Sequence, residues 1–268
     1  MGVQRFALGC VVVVGLCGAG CSGDGGPINE LFGPMALPTP GQTAREAFNT
    51  YDPDIRRRSV TRLAAAPFGG QAPYLRLYRL LVDDPDATVR AACVKAIGMH
   101  GSVDDVKLII AQLEDDDAFV RWESAKALER IHDPQAAGPL IQVLGEDPDA
   151  DVRMAAAHAL GQYAQTRVYH ALIGVLEDSS FGVAQAARQS LHTLTGYDFG
   201  TEGGLWLMWA QQQGDKLFDQ RQSYTWQPYV RPRGLVDKIM FWRSQDGHGP
   251  RVPKGMAAPR QDGADPTL

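Results

Sequence analysis

Residues 149–161 read Asp-Ala-Asp-Val-Arg-Met-Ala-Ala-Ala-His-Ala-Leu-Gly. The Val152-Arg153 pair at the centre of this stretch returns as Ile55-Arg56, Val89-Arg90 and Val120-Arg121, at intervals of 34, 31 and 32 residues. A fifth copy, Val183-Ala184, follows 31 residues later without the arginine. A fixed period of this size marks stacked supersecondary units rather than one globular core.

Taking the Val or Ile as position zero, the fourth residue on is Ser59, Cys93, Ser124, Ala156 and Ala187. The eighth is Leu63, Ile97, Leu128, Leu160 and Leu191. Small or apolar residues at 0, +3, +4, +7 and +8 make one stripe of a helix, and their size lets neighbouring helices come close. A second stripe follows in each unit: Tyr74, Leu77, Tyr78 and Leu81; Val106, Ile109, Ile110 and Leu113; Ala137, Leu140, Ile141 and Leu144; Tyr169, Leu172, Ile173 and Leu176. Its last member lies 24 residues after position zero in units two to four and 26 in unit one, which places two extra residues in a turn between Pro67 and Pro73. Each unit therefore reads as two helices, and the predicted fold is an all-α solenoid of about five helix pairs over residues 44–215.

Asp52, Asp86, Asp117 and Asp149 stand three residues before position zero, where a carboxylate accepts the free amides of a helix start. In unit five Ser180 replaces the Asp and Ala184 replaces the Arg. Their joint loss predicts a ladder between repeats built from Asp52, Asp86, Asp117 and Asp149 with Arg56, Arg90, Arg121 and Arg153.

These units resemble HEAT repeats, above all the short bacterial subtype named after phycobilisome lyases, whose units read roughly D-x-x-V-R-x-x-A-x-x-A-L-G. Residues 149–161 are the nearest copy, and the resemblance covers about 150 residues. It implies a helical scaffold used for binding more often than for chemistry. Unit one departs from it, with Arg58 and Arg62 where others carry Ala, as a terminal repeat with a polar outer face would.

The chain begins with one positive charge at Arg5, an apolar stretch from Phe6 to Leu16, and Cys17-Gly-Ala-Gly-Cys21-Ser22. That pattern is a secretory signal, too short for a comfortable membrane span. Ala19-Gly20-Cys21 resembles a bacterial lipobox, with Gly18 where Leu is usual; an ordinary cleaved signal and a retained anchor are the other readings. Residues 1–20 are thus expected to be a signal peptide, Cys21 the lipid attachment site and residues 21–43 a Gly/Pro-rich tether. The expected location is the cell envelope, lipid-anchored to a membrane. Of the cysteines after the signal, Cys93 falls on the buried stripe as a small hydrophobe.

Beyond the array, Thr201 is placed to cap a final helix carrying Trp206 and Trp209. Residues 51–200 carry 15 basic and 21 acidic side chains, whereas residues 221–260 carry 8 basic and 2 acidic. The basic extension, residues 216–245, holds a short amphipathic pattern of Leu235, Val236, Ile239, Met240 and Trp242. It suits an anionic membrane surface, a fold back onto the acidic array, or a solvated tail. Residues 246–268 are expected to be disordered.

No catalytic constellation is expected, and neither a metal nor a cofactor. One HEAT-repeat enzyme family, the deoxyhypusine hydroxylases, binds two irons through repeated His-Glu pairs, and this chain has no His-Glu dipeptide. Glu114-Asp-Asp-Asp117 lacks the glycine and distal glutamate of a calcium loop. His100 and His132, near the turns, read as capping or exposed residues. An acidic array argues against nucleic acid. The expected partner is a protein or peptide, with Trp122, Glu123, Arg130, Tyr163 and Tyr169 as outward contacts because they break the repeat. The alternatives are a lyase- or chaperone-like protein handling a chromophore or prosthetic group, by analogy with the family, and a membrane adaptor using the basic segment.

Overall fold

The computed structural model describes residues 38–227 and 249–256. Cys21, the signal segment, and the amphipathic pattern from Leu235 to Trp242 lie outside the described residues. Among the described residues there are eleven α-helices and no β-sheet, only isolated bridges at Ile131–Lys254 and Trp226–Arg251.

A short helix α1 (Pro40–Glu46) opens the array. It begins inside the expected tether because Thr39 and Gln42 form a reciprocal capping box, satisfying two amides that a flexible linker would leave to water. Five pairs follow: α2 (Pro53–Ala65) with α3 (Ala72–Leu80), α4 (Ala87–His100) with α5 (Val106–Ala111), α6 (Ala118–Arg130) with α7 (Ala137–Glu146), α8 (Ala150–Leu160) with α9 (Thr166–Gly174), and α10 (Phe181–Thr195) with α11 (Gly203–Gln213). The two extra residues of unit one fall in the turn between α2 and α3. Helix α11 starts one residue later than expected: Glu202 is its N-cap, and no side chain caps it.

The stripes explain the packing. Val89, Val120, Val152 and Val183 are fully buried, as are Cys93, Ser124, Ala156 and Ala187 and the Ile or Leu four residues further on. In the second helices three of every four stripe residues are buried, and the fourth (Tyr74, Ile110, Ile141, Ile173) packs against the core. The first helices stack on one another in one layer, the most extensive helix–helix contact among the described residues. Small residues make it possible: a Cβ on Gly98 of α4 would lie 2.7 Å from the Ala127 Cβ of α6. The same +9 to +7 contact recurs between Gly161 and Ser190. Arg62 occupies the +7 position of unit one, where among the described residues no helix pair precedes, and it is exposed.

Gly98→Ala is expected to destabilise the chain by about 1–2 kcal/mol, although alanine is the better helix former, because overpacking against rigid backbone outweighs propensity. Combining it with Ala127→Gly should recover most of the loss in urea titrations followed by circular dichroism.

Candidate partner-binding surface

The rim of the array at the start of the first helices carries the charged ladder. Arg56 grips Asp84 through Nε and Nη2 at 2.8 and 2.7 Å. Arg90 grips Asp115 at 2.7 and 2.7 Å, Arg121 grips Asp147 at 2.7 and 3.0 Å, and Arg153 grips Asp178 at 3.0 and 2.9 Å. Each pair joins one unit to the next with both guanidinium donors, the fork geometry that arginine alone supplies. The third nitrogen turns back to the unit's own turn: Nη1 of Arg90, Arg121 and Arg153 donates to the carbonyls of Asp84, Asp115 and Asp147, each at 2.9 Å. Every ladder aspartate but the last thus bonds two arginines, one by its carboxylate and one by its backbone.

The arginines stand where the sequence predicted, but the carboxylates do not. Asp52, Asp86, Asp117 and Asp149 are N-caps, their side chains accepting amides of the first turn (Ile55 at 3.2 Å, Thr88 at 2.9 Å, Phe119 at 2.8 Å, Asp151 at 2.9 Å). A carboxylate folded onto its own helix start is not free to cross to the preceding unit. The rung is the aspartate two residues earlier, whose Oδ1 also receives the amide of the capping residue at 2.9 Å in units two to four. In unit five Asp178 keeps this role, accepting the Ser180 amide at 2.7 Å. The last unit therefore retains the acceptor for Arg153 and dispenses with the donor. At the other end neutral Asn49 accepts the amides of Tyr51 and Asp52 and offers its carbonyl to Arg56.

These pairs set an acid limit. Burial pushes the Asp115 carboxyl up, but the hydrogen bonds from Arg90 and from the Asp117 amide outweigh it and hold it below the ordinary range. The hydrogen bond from Arg153 does the same for Asp178. A carboxyl depressed in the folded state stabilises the protein above its unfolded pKa, near 3.9, and that contribution disappears as pH falls through the folded value. Stability should therefore be flat with respect to these groups above about pH 5 and decline below about pH 4. Urea midpoints measured from pH 7 to pH 3 check this.

The five expected contact residues divide. Trp122 is half-buried and stacks on exposed Phe119 with ring centroids 5.8 Å apart, so this aromatic pair is accessible. Glu123 is buried, with Lys95 Nζ of the preceding unit 3.3 Å away. Tyr163 is buried and stacks on His132 at 4.9 Å. Tyr169 is fully buried and donates to the Trp206 carbonyl at 2.8 Å, which ties α11 to unit four. Glu123, Tyr163 and Tyr169 are therefore not outward: they break the repeat because they close seams. The histidines do likewise. His100 Nε2 lies 2.7 Å from the Ala64 carbonyl, and His132 Nδ1 lies 2.9 Å from Gln162 Oε1, so both link adjacent units.

Arg130 is covered by the chain's own C-terminal part. Its guanidinium sits 5.3 Å from the Trp226 ring, and burial pushes its pKa down against the pull of Glu123 and Glu129. Residues 249–256 were expected to be disordered but lie on the array. The Lys254 amide donates to the Arg130 carbonyl at 2.8 Å, and its own carbonyl accepts the His132 amide at 2.7 Å. Lys254 Nζ donates to the carbonyls of Met99 and Gly101, both at 2.9 Å. Upstream, the Tyr224 hydroxyl donates to the His158 carbonyl at 2.8 Å, and the Gln222 amide to the Thr193 carbonyl at 2.7 Å. Nothing in the sequence signalled this strap except the charge contrast, because it lies outside the repeat. On the second-helix layer, Ile110, Leu113, Pro139, Gln142, Val143 and Glu146 line an open groove of about 410 Å³.

Stacked helix pairs, a small-residue seam and an arginine ladder define an α-solenoid repeat scaffold. The chain belongs to the HEAT-repeat family, whose repeat model matches residues 42–129 and 106–192. It is similar to an uncharacterized phycocyanin operon protein Z of Pseudanabaena tenuis, 28% identical over 133 residues, covering 47% of this chain. The match spans 64% of that relative's length. Among solved structures it is similar to an engineered protein (TM-score 0.48, 15% identity, covering 69% of this chain and 96% of that one). It is also similar to a designed armadillo repeat protein in complex with the peptide (KR)4 (TM-score 0.47, 19% identity, covering 63% and 87%). A third is the complex of CpcE and CpcF of phycocyanin lyase from Nostoc sp. PCC7120 (TM-score 0.43, 19% identity, covering 56% and 96%). At these values the structural likenesses carry no functional weight.

Proposed function

We propose that this HEAT array is a non-enzymatic scaffold that binds a protein or peptide partner and is held at a bacterial membrane by a lipid on Cys21. The observation that carries the binding role is the unbroken layer of first helices, locked unit to unit by four bidentate ion pairs. Such a frame offers one extended, preorganised surface, which lowers the ordering cost of association. The accessible Phe119–Trp122 pair supplies an aromatic anchor of the kind that dominates interfaces. The anchoring part rests on the lipobox-like Ala19-Gly20-Cys21 after an apolar stretch.

Crosslinking in intact cells followed by mass spectrometry tests the scaffold: a stoichiometric envelope protein is expected, and its loss on Trp122→Ala. Cys21→Ala is expected to leave an unprocessed precursor and to deplete the membrane fraction. If that variant is processed and sediments with membranes as before, the anchor is refuted.

The similarity to a phycocyanin operon protein favours a second reading, a lyase-like protein that handles a chromophore. Visible absorbance that follows the protein peak through purification would support it.

A further inference from the structure

The first helices end on one edge of the array, and helix ends leave carbonyls without intrahelical partners at the negative pole of the dipole. Within the array the next unit supplies donors to several of them: Gln162 Nε2 to the Leu128 carbonyl at 2.9 Å and Ser190 Oγ to the Ala157 carbonyl at 2.8 Å, with His100 at the Ala64 carbonyl. Others are met by the strap. Lys254 takes Met99 and Gly101, Tyr224 takes His158, and the amides of Lys254 and Gln222 take Arg130 and Thr193. The strap thus crosses the ends of α10, α8, α6 and α4 in turn.

We propose that this edge is the track on which the partner lies, and that residues 222–226 and 251–254 occupy it in cis as a stand-in for an extended partner segment bearing a lysine and aromatic rings. The inference rests on the scaffold reading above and adds to it a second contact, at the ends of the first helices, beyond the Phe119–Trp122 pair near the start of α6. Three observations support it. Much of the contact is made by backbone groups, at Gln222 and on both sides of Lys254, so any extended segment can reproduce it. The polarity matches at the contact itself, where the Lys254 ammonium meets helix-end carbonyls at the negative pole of the dipole and the Tyr224 hydroxyl lies 3.3 Å from Glu129 Oε1. The strap lies on the surface of the array: of residues 221–227 and 251–256 only Pro253 is buried and Tyr224, Trp226 and Met256 are half-buried, so none of the stripe residues that form the core belongs to it.

One expected partner residue belongs to this track: Arg130 lies against Trp226 and its carbonyl accepts the Lys254 amide. Gly255 lets the strap settle there: its φ is +87°, and a Cβ would meet the His132 carbonyl oxygen at 2.7 Å.

The test uses the full chain and a fluorescent peptide of residues 217–256. A protein carrying Tyr224→Phe, Trp226→Ala and Lys254→Ala should bind this peptide at least about tenfold more tightly than the wild type, because affinity scales with the fraction of chains whose track is open. Gly255→Val, which lifts the strap without removing its side chains, should give the same direction. A peptide with the three substitutions, left with the backbone contacts, should bind the opened protein about tenfold more weakly than the unsubstituted peptide. Equal binding by wild type and both variants, or equal binding of the two peptides, overturns the proposal. So does a strap-exchanged wild-type dimer in sedimentation, which would make the occupant a second copy of this chain. A partner crosslinked at Phe119 and Trp122 but nowhere along this edge would sink the track and leave the scaffold standing.

Discussion

Replacing Arg121 by alanine is expected to cost about 2–4 kcal/mol and to uncouple the two halves of the array, because a buried ion pair loses one member. Arg121 makes two bonds to Asp147 and two to the turn carbonyls of Asp115 and Asp116. The side chains are 12% and 4% exposed. After the substitution the Asp147 carboxylate keeps only the Asp149 amide, and its charge stays largely out of water. The carbonyl of Asp115 is released as well, which disturbs the rung between units two and three, since Asp115 also holds Arg90. Stability in a solenoid is a sum of unit and interface terms, so a weakened interface appears as lost cooperativity. The measurement is urea unfolding followed by circular dichroism: a lower midpoint with a shallower or two-stage transition. Arg121→Lys keeps the charge but not the fork and should fall between wild type and alanine. Arg121→Met with Asp147→Asn removes both charges and should recover part of the loss. A cost for Arg121→Ala within about 0.5 kcal/mol would show that the ladder behaves as exposed pairs do.

The helix pairs were legible because packing against identical neighbours forces the same residue size at the same position in every unit. Val89, Val120, Val152 and Val183 report one environment four times over. The ladder was half legible. Two aspartates recur in the turns of units two to four, and spacing alone does not tell which one faces the helix start and which faces the gap. Unit five held the answer: it loses the capping aspartate at Ser180 yet keeps Asp178, and only the acceptor for Arg153 has reason to stay. The aperiodic residues were misread for a physical reason. A side chain that breaks the repeat sits in a unique environment, and in a stacked protein such environments occur at partner surfaces and also at seams and ends. Tyr169 serves the end of the stack and Glu123 a seam. The strap lay beyond reach because its contacts span from Lys254 to Met99 with no periodicity to reveal them.

The largest loss is expected from Ala156→Glu. Ala156 lies at the +4 position of α8 and is fully buried among the small residues of the seam. A glutamate there brings a carboxylate with no donor to meet it, and bulk that forces neighbouring helices apart; the two costs together come to about 4–6 kcal/mol. That is much of the stability a domain possesses, so the variant should lose helical signal at room temperature or melt in a broad, early transition. Ala156→Ser supplies the control, and the repeats themselves predict its outcome. The same position holds Ser59 and Ser124, and the Ser124 hydroxyl donates to its own Val120 carbonyl at 2.8 Å. A serine at 156 can reach the Val152 carbonyl in the same way, so it should cost no more than about 1 kcal/mol. If glutamate were tolerated as well as serine, the +4 stripe would not be the seam between helices, and the stacking that supports every surface described above would have to be redrawn.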